Sequence, residues 1–256
     1  STINGASALT IATAGTTTFR GIVGGVAPLT SLIVGAGPIA INTTAINTTG
    51  LQTYSGAVTL GGSGTTTTLT STATGAITFA STINGASALT IATAGVTTFG
   101  DIVGGDTPLT SLTVGTGPIA INTTAITTTG AQTYNGAVTL SQNLALTTTN
   151  SAVSFASTVT DATDNTHSLT IRSGLGAVTL SGDLVKLAYV NIYSTSATSV
   201  VEGIISGTTN LNVGSAGKLF LSAQNTNTGT TKIALGGELI IRGAGWLGGG
   251  AYAGNI

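Results

Sequence analysis

The residues of this chain that could do chemistry are concentrated in one short segment, DATDNTH at 161–167. Asp161, Asp164 and Asn165 offer the oxygen ligands that Ca²⁺ prefers, and His167 is the only histidine of the chain. A histidine close to a carboxylate is also a pairing used in general acid–base catalysis. The segment is therefore a candidate for a cation site, for a catalytic pair or for a polar turn.

The spacing within this segment bears on these alternatives. DATDN matches neither an EF-hand loop nor a calcium-binding nonapeptide repeat, and Asp and Asn are common turn formers. A catalytic site also needs further acids, bases or nucleophiles around the pair, and the sequence shows no second cluster of such residues. We expect a turn, with no enzymatic activity, no cofactor and no metal. Asp161, Asp164 and Asn165 are the candidate calcium ligands.

The composition of the chain excludes several other functions. Its 256 residues include 6 Lys and Arg, 7 Asp and Glu, and the net charge is −1, so no basic surface for nucleic acid can be built. The chain has no cysteine, which excludes disulfides, thiolate catalysis and cysteine-ligated metals. No apolar run reaches the ~18 residues that a membrane span requires.

The elements that position these side chains are predicted to be β-strands. The chain contains 54 Thr, a β-branched residue that favours strands, and few of the residues that favour helices. Short segments such as ALTIAT and GAVTL are apolar at every second position and are bounded by Gly, Asn, Ser or Pro, which is the pattern of strands and turns. The 41% of hydrophobic residues argues against disorder.

A long internal repeat organises these strands. Residues 1–60 and 81–140 are identical at 50 of 60 positions, and a diverged third copy starts at Ser157. A period of this length indicates stacked structural repeats. Large apolar residues spaced by multiples of twenty divide the 80-residue unit into about four turns. They are Leu9, Leu29, Leu69, Leu89, Phe19, Ile39, Phe79 and Phe99.

The 80-residue repeat and the spacing of twenty within it together predict a right-handed parallel β-helix, or β-solenoid, with about 20 residues per coil. In this fold each position lies against its equivalent in the next coil. The eight apolar residues are then the core stack, and Asn42 and Asn122 are candidates for an asparagine ladder at a corner. A β-sandwich is the competing fold, because it also uses short alternating strands. It does not require near-identical copies at a fixed spacing.

We divide the chain into solenoid repeat 1 at 1–80, solenoid repeat 2 at 81–156 and diverged coils of the same solenoid at 157–256. Ten of the thirteen charged residues lie after residue 156. A separate C-terminal domain is the alternative for this last part.

The repeated phrases PLTSL, GPIAINTTAI and GAVTL, within 18–60 and 98–140, resemble the repeats of filamentous-haemagglutinin-like adhesins and related autotransporter passengers of bacteria. The resemblance implies a right-handed parallel β-helix, export across the outer membrane, and a role in adhesion or in building a matrix. Repeats of this type mostly form the stalk of such proteins.

We therefore expect a structural repeat segment of a large extracellular bacterial fibre or adhesin at the cell surface. The segment would be a rigid rod that self-associates head-to-tail or continues within a longer chain, and its low charge favours close packing. Glycans on host or neighbouring cells are the candidate partners. The alternative function is a binding module for glycans or ice on a Thr-rich face, and ice binding would need Thr-x-Thr at every coil.

Overall fold

The computed structural model describes residues 2–62, 64–214 and 217–248, and the chain divides into two compact units, residues 1–128 and 129–256. The fold is a β-solenoid of about 11 turns with roughly 21 residues per turn, which confirms the predicted fold class and coil length. No α-helix occurs in the described residues. Within the same residues, no helix is long and apolar enough to cross a membrane.

Unit 1 consists of short strands whose residues alternate between the core and the surface, as the two-residue period of a strand requires. Its strands are β1 Ala8–Ile11, β2 Thr17–Phe19, β3 Ser31–Val34, β4 Ile39–Ile41, β5 Ala45–Thr48, β6 Gln52–Tyr54, β7 Val58–Leu60, β8 Thr66–Ser71, β9 Ile77–Phe79, β10 Ile83–Asn84, β11 Ala88–Ala92, β12 Thr97–Phe99, β13 Ser111–Val114, β14 Ile119–Ile121 and β15 Ala125–Thr127.

Within unit 1 these strands form three parallel sheets, which the chain visits in a fixed order. Sheet A contains β5, β8, β11 and β13, sheet B contains β1, β3, β6, β9, β12 and β14, and sheet C contains β2, β4, β7 and β10. Single-residue bridges extend sheet C from Ile83 through Val103 to Ile126 of β15. One coil therefore contributes one strand or bridge to each sheet.

Unit 2 has the same construction. Its strands are β16 Gln132–Tyr134, β17 Val138–Leu140, β18 Leu144–Thr147, β19 Val153–Phe155, β20 Val159–Asp161, β21 Ser168–Gly174, β22 Val178–Leu180, β23 Leu184–Val185, β24 Tyr189–Ser194, β25 Ser199–Val201, β26 Asn210–Gly214, β27 Lys218–Leu221, β28 Thr231–Ile233 and β29 Glu238–Ile241. The three sheets within this unit are β16-β19-β22-β25-β27-β29, β17-β20-β23 and β18-β21-β24-β26-β28.

The core of unit 1 is built from inward residues that stack from coil to coil. Tyr54, Phe79 and Phe99 occupy paired positions on sheet B, and their ring centroids are 5.1 and 5.9 Å apart. The tyrosine hydroxyl donates a hydrogen bond of 2.8 Å to Oε1 of Gln52, which is also fully buried. The amide of this glutamine donates to the carbonyl of Thr70 at 2.9 Å. Aromatic stacking and a satisfied polar network thus occupy the same core.

The pairing register differs from the predicted spacing of twenty. Seven of the eight predicted core residues are buried, and Leu9 is half-buried. Leu9 is paired with Leu32, however, and Leu29 is bridged to Thr48. Of the predicted set only Phe79 and Phe99 are direct neighbours. The reason is that coil length varies with the corner loops.

The variation in coil length is visible on sheet B. The step from Leu32 to Gln52 is 20 residues, whereas the next step, from Gln52 to Ile77, is 25 residues. A fixed spacing therefore cannot identify which residues of consecutive coils meet, even though it identifies residues that face the core.

The 80-residue repeat is not a whole number of turns. Starting at β1, the chain returns to sheet B at β3, β6 and β9, and then crosses sheet C at β10 before it places β11 on sheet A. Because β11 is the second copy of β1, the repeat advances by three turns and two thirds of another. Equivalent residues of the two copies therefore lie on different sheets and do not stack on one another.

Candidate functional site

The loop at 161–167 is organised around the carboxylate of Asp161, whose side chain is fully buried. Its Oδ2 accepts hydrogen bonds from the backbone N–H groups of Thr166 and His167, each at 2.7 Å, and its Oδ1 accepts one from the N–H of Thr163 at 3.0 Å. Burial alone would raise the pKa of this carboxyl group, but these hydrogen bonds and the one from the histidine ring outweigh burial and hold the pKa far below its usual range. Asp161 is therefore a charged anchor of the loop.

The three candidate calcium ligands do not converge. The oxygens of Asp161 are surrounded by N–H donors, which disfavour a cation at the same place. Asp164 is exposed, and its Oδ2 accepts a hydrogen bond of 2.9 Å from Nζ of Lys186. Asn165 has a φ of 63° and donates its N–H to the carbonyl of Lys186. In the part of the chain that the structure describes, no group of three or more His, Cys, Asp or Glu could hold a metal ion. The segment is a polar turn.

His167 is bound to the same carboxylate. Its Nδ1 lies 2.7 Å from Oδ1 of Asp161, and its side chain is 19% exposed. The hydroxyls of Thr163 and Thr166 approach the same ring nitrogen, at 3.4 and 3.2 Å. In a catalytic Asp–His pair, the carboxylate binds Nδ1 of the histidine ring and the nucleophile binds Nε2 on the opposite side. The geometry supports a structural role for this histidine, and the lack of enzymatic activity stays a prediction.

The two asparagines predicted to form a ladder lie on different sheets. Asn42 follows β4 on sheet C, and the register places it between Arg20 and Gly61 of the neighbouring coils. Asn122 follows β14 on sheet B. They do not form a ladder with each other, because the repeat carries its second copy to another sheet.

The Thr-rich surface of sheet A is interrupted. The outward residues of β8 are all threonine, whereas the paired residues of β11 alternate between alanine and threonine. They are Thr66, Thr68 and Thr70 on β8 and Ala88, Thr90 and Ala92 on β11. The Thr-x-Thr pattern required for ice binding is therefore not maintained from one coil to the next.

The structure assembles a different cluster in unit 2, which we call the tyrosine face. It consists of the outward residues of β21, β24, β26 and β28, and the register brings them together as neighbouring rows. They are Ser168, Thr170 and Arg172, then Tyr189, Asn191 and Tyr193, then Asn210, Asn212 and Gly214, and finally Lys232. We did not single out these residues in the sequence, although YVNIY at 189–193 places two tyrosines and an asparagine on one side of a strand.

A ladder of polar side chains runs through the centre of the tyrosine face. Nδ2 of Asn191 donates to Oγ1 of Thr170 at 3.0 Å, and Nδ2 of Asn212 donates to Oδ1 of Asn191 at 2.6 Å. Each bond connects consecutive strands and fixes the direction of the next amide. An asparagine ladder thus exists in this chain, but at residues other than those predicted.

Tyr193 is held in place from two sides. The guanidinium carbon of Arg172 lies 4.6 Å from the centroid of the ring, a cation–π contact. On the next strand the ring lies over Gly214, where a Cβ atom would be 2.2 Å from a ring carbon. A small cavity of about 150 Å³ lies beside the ring and is lined by Tyr193, Asn212, Gly214 and Lys232 among others.

Comparison with known proteins identifies no matching family model, no similar curated protein and no similar solved structure. The resemblance to filamentous-haemagglutinin-like repeats stays a prediction, and we infer function from the geometry.

Proposed function

We propose that this chain is a structural repeat segment of a large extracellular bacterial fibre or adhesin. The observation that carries the proposal is the coil-to-coil pairing of parallel strands within each unit, together with the core that stacks beneath them. In unit 1 the Tyr54, Phe79 and Phe99 rings form such a stack, and in unit 2 the Tyr134 and Phe155 rings do so at 4.6 Å. This construction suits a chain whose work is mechanical.

The polar residues of the turn and of the core also support this proposal, because they have structural roles. Asp161 and His167 fasten a turn, and Gln52 and Tyr54 are internal to the core. Their hydrogen bonds hold the backbone of the turn and of the core. Low charge over the chain limits repulsion between neighbouring segments.

In this proposal the solenoid extends by pairing of one coil with the next, either between chains head-to-tail or within a longer chain. Parallel pairing needs only exposed backbone N–H and C=O groups at an edge. We place the assembly at the bacterial cell surface, where the resemblance puts such repeats.

Electron microscopy and fibre diffraction of the purified chain test the assembly. We expect filaments of one solenoid width, with a repeat of about 4.8 Å along the axis from strand spacing. Particles that remain single at all protein concentrations would contradict head-to-tail association. A single-molecule force measurement on a tandem fusion then tests the mechanical role within one chain, and low unfolding forces would contradict it.

The binding-module alternative has one specific observation in its favour. The tyrosine face presents aromatic, amide and cationic side chains together, a combination that suits glycans. An ice surface would instead meet threonines interrupted by alanine.

A further inference from the structure

The tyrosine face differs in chemistry from the surrounding strands. Two cationic residues, Arg172 and Lys232, lie within the described strands of this sheet in unit 2, which are β18, β21, β24, β26 and β28. These strands contain no Asp or Glu, and the acidic residues nearby in the sequence lie in the segments between them. The face is therefore locally cationic on a chain whose net charge is −1. Charge complementarity points to an anionic ligand.

We propose that the cavity beside Tyr193 binds a carboxylate-bearing sugar unit of an acidic polysaccharide, with Lys232 as the partner of the carboxylate. This binding activity goes beyond the structural role proposed above and is independent of filament assembly.

Lys232 is the residue that selects the anion. It is exposed, it borders the cavity, and in the described part of the chain no carboxylate forms an ion pair with it. The other cation of the face, Arg172, already packs on the ring of Tyr193. The ammonium group of Lys232 can therefore meet a ligand carboxylate without first breaking an internal ion pair.

Asn212 supplies a directed polar group at the same place. Its Nδ2 is committed to Asn191, and this bond orients its Oδ1, which accepts no hydrogen bond from a described residue. An amide oxygen held in this way accepts a hydrogen bond from a sugar hydroxyl with little loss of side-chain entropy. The ladder through Thr170 and Asn191 is therefore a positioning device for Asn212.

The tyrosines supply apolar contact area. Tyr189 is 45% exposed, and it lies on the same strand and the same side as Tyr193, about 13 Å away for four residues of extended chain. The electron-rich face of an aromatic ring attracts the positively polarised C–H groups of a sugar. Tyr193 packs against Arg172 and Gly214 and borders the cavity, so the exposed Tyr189 supplies the ring face for a sugar. Contacts this far apart reach more than one sugar unit, which favours a polysaccharide over a single sugar.

The test is affinity electrophoresis of the whole chain through gels that contain polygalacturonate or, as the neutral comparison, dextran. We expect retardation by polygalacturonate only. Lys232→Gln should weaken the apparent affinity about three- to tenfold, the range for loss of one typical hydrogen bond, and Tyr193→Ala should weaken it similarly.

The matched control is Lys218→Gln, which removes the same charge from a lysine that pairs with Glu238 at 2.8 Å on a different sheet. Circular dichroism and the thermal midpoint verify that each variant is folded. The proposal is overturned if polygalacturonate does not retard the wild-type chain, if dextran retards it equally, or if Lys232→Gln and Lys218→Gln behave alike. None of these results depends on whether filaments form.

Discussion

Nδ1 of His167 lies 2.7 Å from Oδ1 of Asp161, and the backbone N–H of the same histidine donates to the other carboxylate oxygen at the same distance. One buried carboxylate therefore holds both the ring and the backbone of one residue. The two side chains that most suggest a reaction in the sequence are used to close a turn between β20 and β21.

Replacement of Asp161 by Asn should lower the free energy of unfolding by about 2–4 kcal/mol, because charge-assisted hydrogen bonds are lost inside the protein. The new NH₂ group would also face backbone N–H groups. Urea denaturation measures the difference. Asp164→Asn is the matched control, since its ion pair with Lys186 is exposed and should contribute less than about 1 kcal/mol. Equal effects of the two substitutions would contradict the anchoring role.

Stability should fall in acid through the same carboxylate. Its pKa in the folded chain lies far below the unfolded value of about 3.9, so its contribution is complete above that value and is lost as the pH falls toward the folded pKa. Denaturation curves from pH 6 to pH 2 should show a decline below about pH 4 that is smaller in Asp161→Asn. Parallel declines in both proteins would assign the acid sensitivity to other groups.

Tyr54→Phe should lower the free energy of unfolding by about 1–3 kcal/mol, because it leaves Oε1 of Gln52 unpaired in the core. Burial also raises the pKa of this phenol far above its usual range, so a pH titration of absorbance should show no phenolate from it until the chain unfolds. Tyr189→Phe is the control, and it should leave the free energy of unfolding within about 0.5 kcal/mol. An unchanged free energy of unfolding in Tyr54→Phe would contradict this contribution and would mean that a water molecule replaces the hydroxyl.

Gly56 should not tolerate a side chain. A Cβ atom there would lie 1.9 Å from the backbone carbonyl oxygen of Gly37 in the preceding coil, a clash that only movement of the backbone could relieve. Gly56→Ala is expected to destabilise unit 1 by about 2 kcal/mol or more. Gly15→Ala, where the nearest atom is 3.5 Å away, should be close to neutral. The difference in thermal midpoint between the two variants measures this, and equal midpoints would contradict the close approach of the coils.

The coil register can be tested by cross-linking, since the chain has no native cysteine. The register pairs Thr53 with Thr78 on adjacent strands, whereas a spacing of twenty would pair Thr53 with Ala73. Neighbouring parallel strands are about 4.8 Å apart, within the Cα separation that a disulfide spans. Thr53→Cys with Thr78→Cys should oxidise to a disulfide, detected as a mass change of the intact chain. Efficient closure of Thr53→Cys with Ala73→Cys instead would support the fixed spacing.

Much of the fold follows from local patterns in the sequence. Strand residues such as Val58 and Leu60 reveal their inward direction because side chains alternate with a period of two, and the near-identical copies indicate stacking. These patterns were enough to predict the all-β class, the solenoid and the coil length. They also identified residues that face the core, such as Phe79 and Phe99.

Only the tertiary structure decided which residues meet. Pairing between coils depends on the length of every intervening corner loop, so steps of 20 and 25 residues occur on one sheet. The 80-residue repeat advances by three and two-thirds turns, and Asn42 and Asn122 therefore lie on different sheets. The tyrosine face depends on the same non-local register, because Tyr193 and Lys232 become neighbours of one cavity only after two further coils are in place. A strand's alternation is a property of its own residues, but its register is a property of the loops that return the chain beside it.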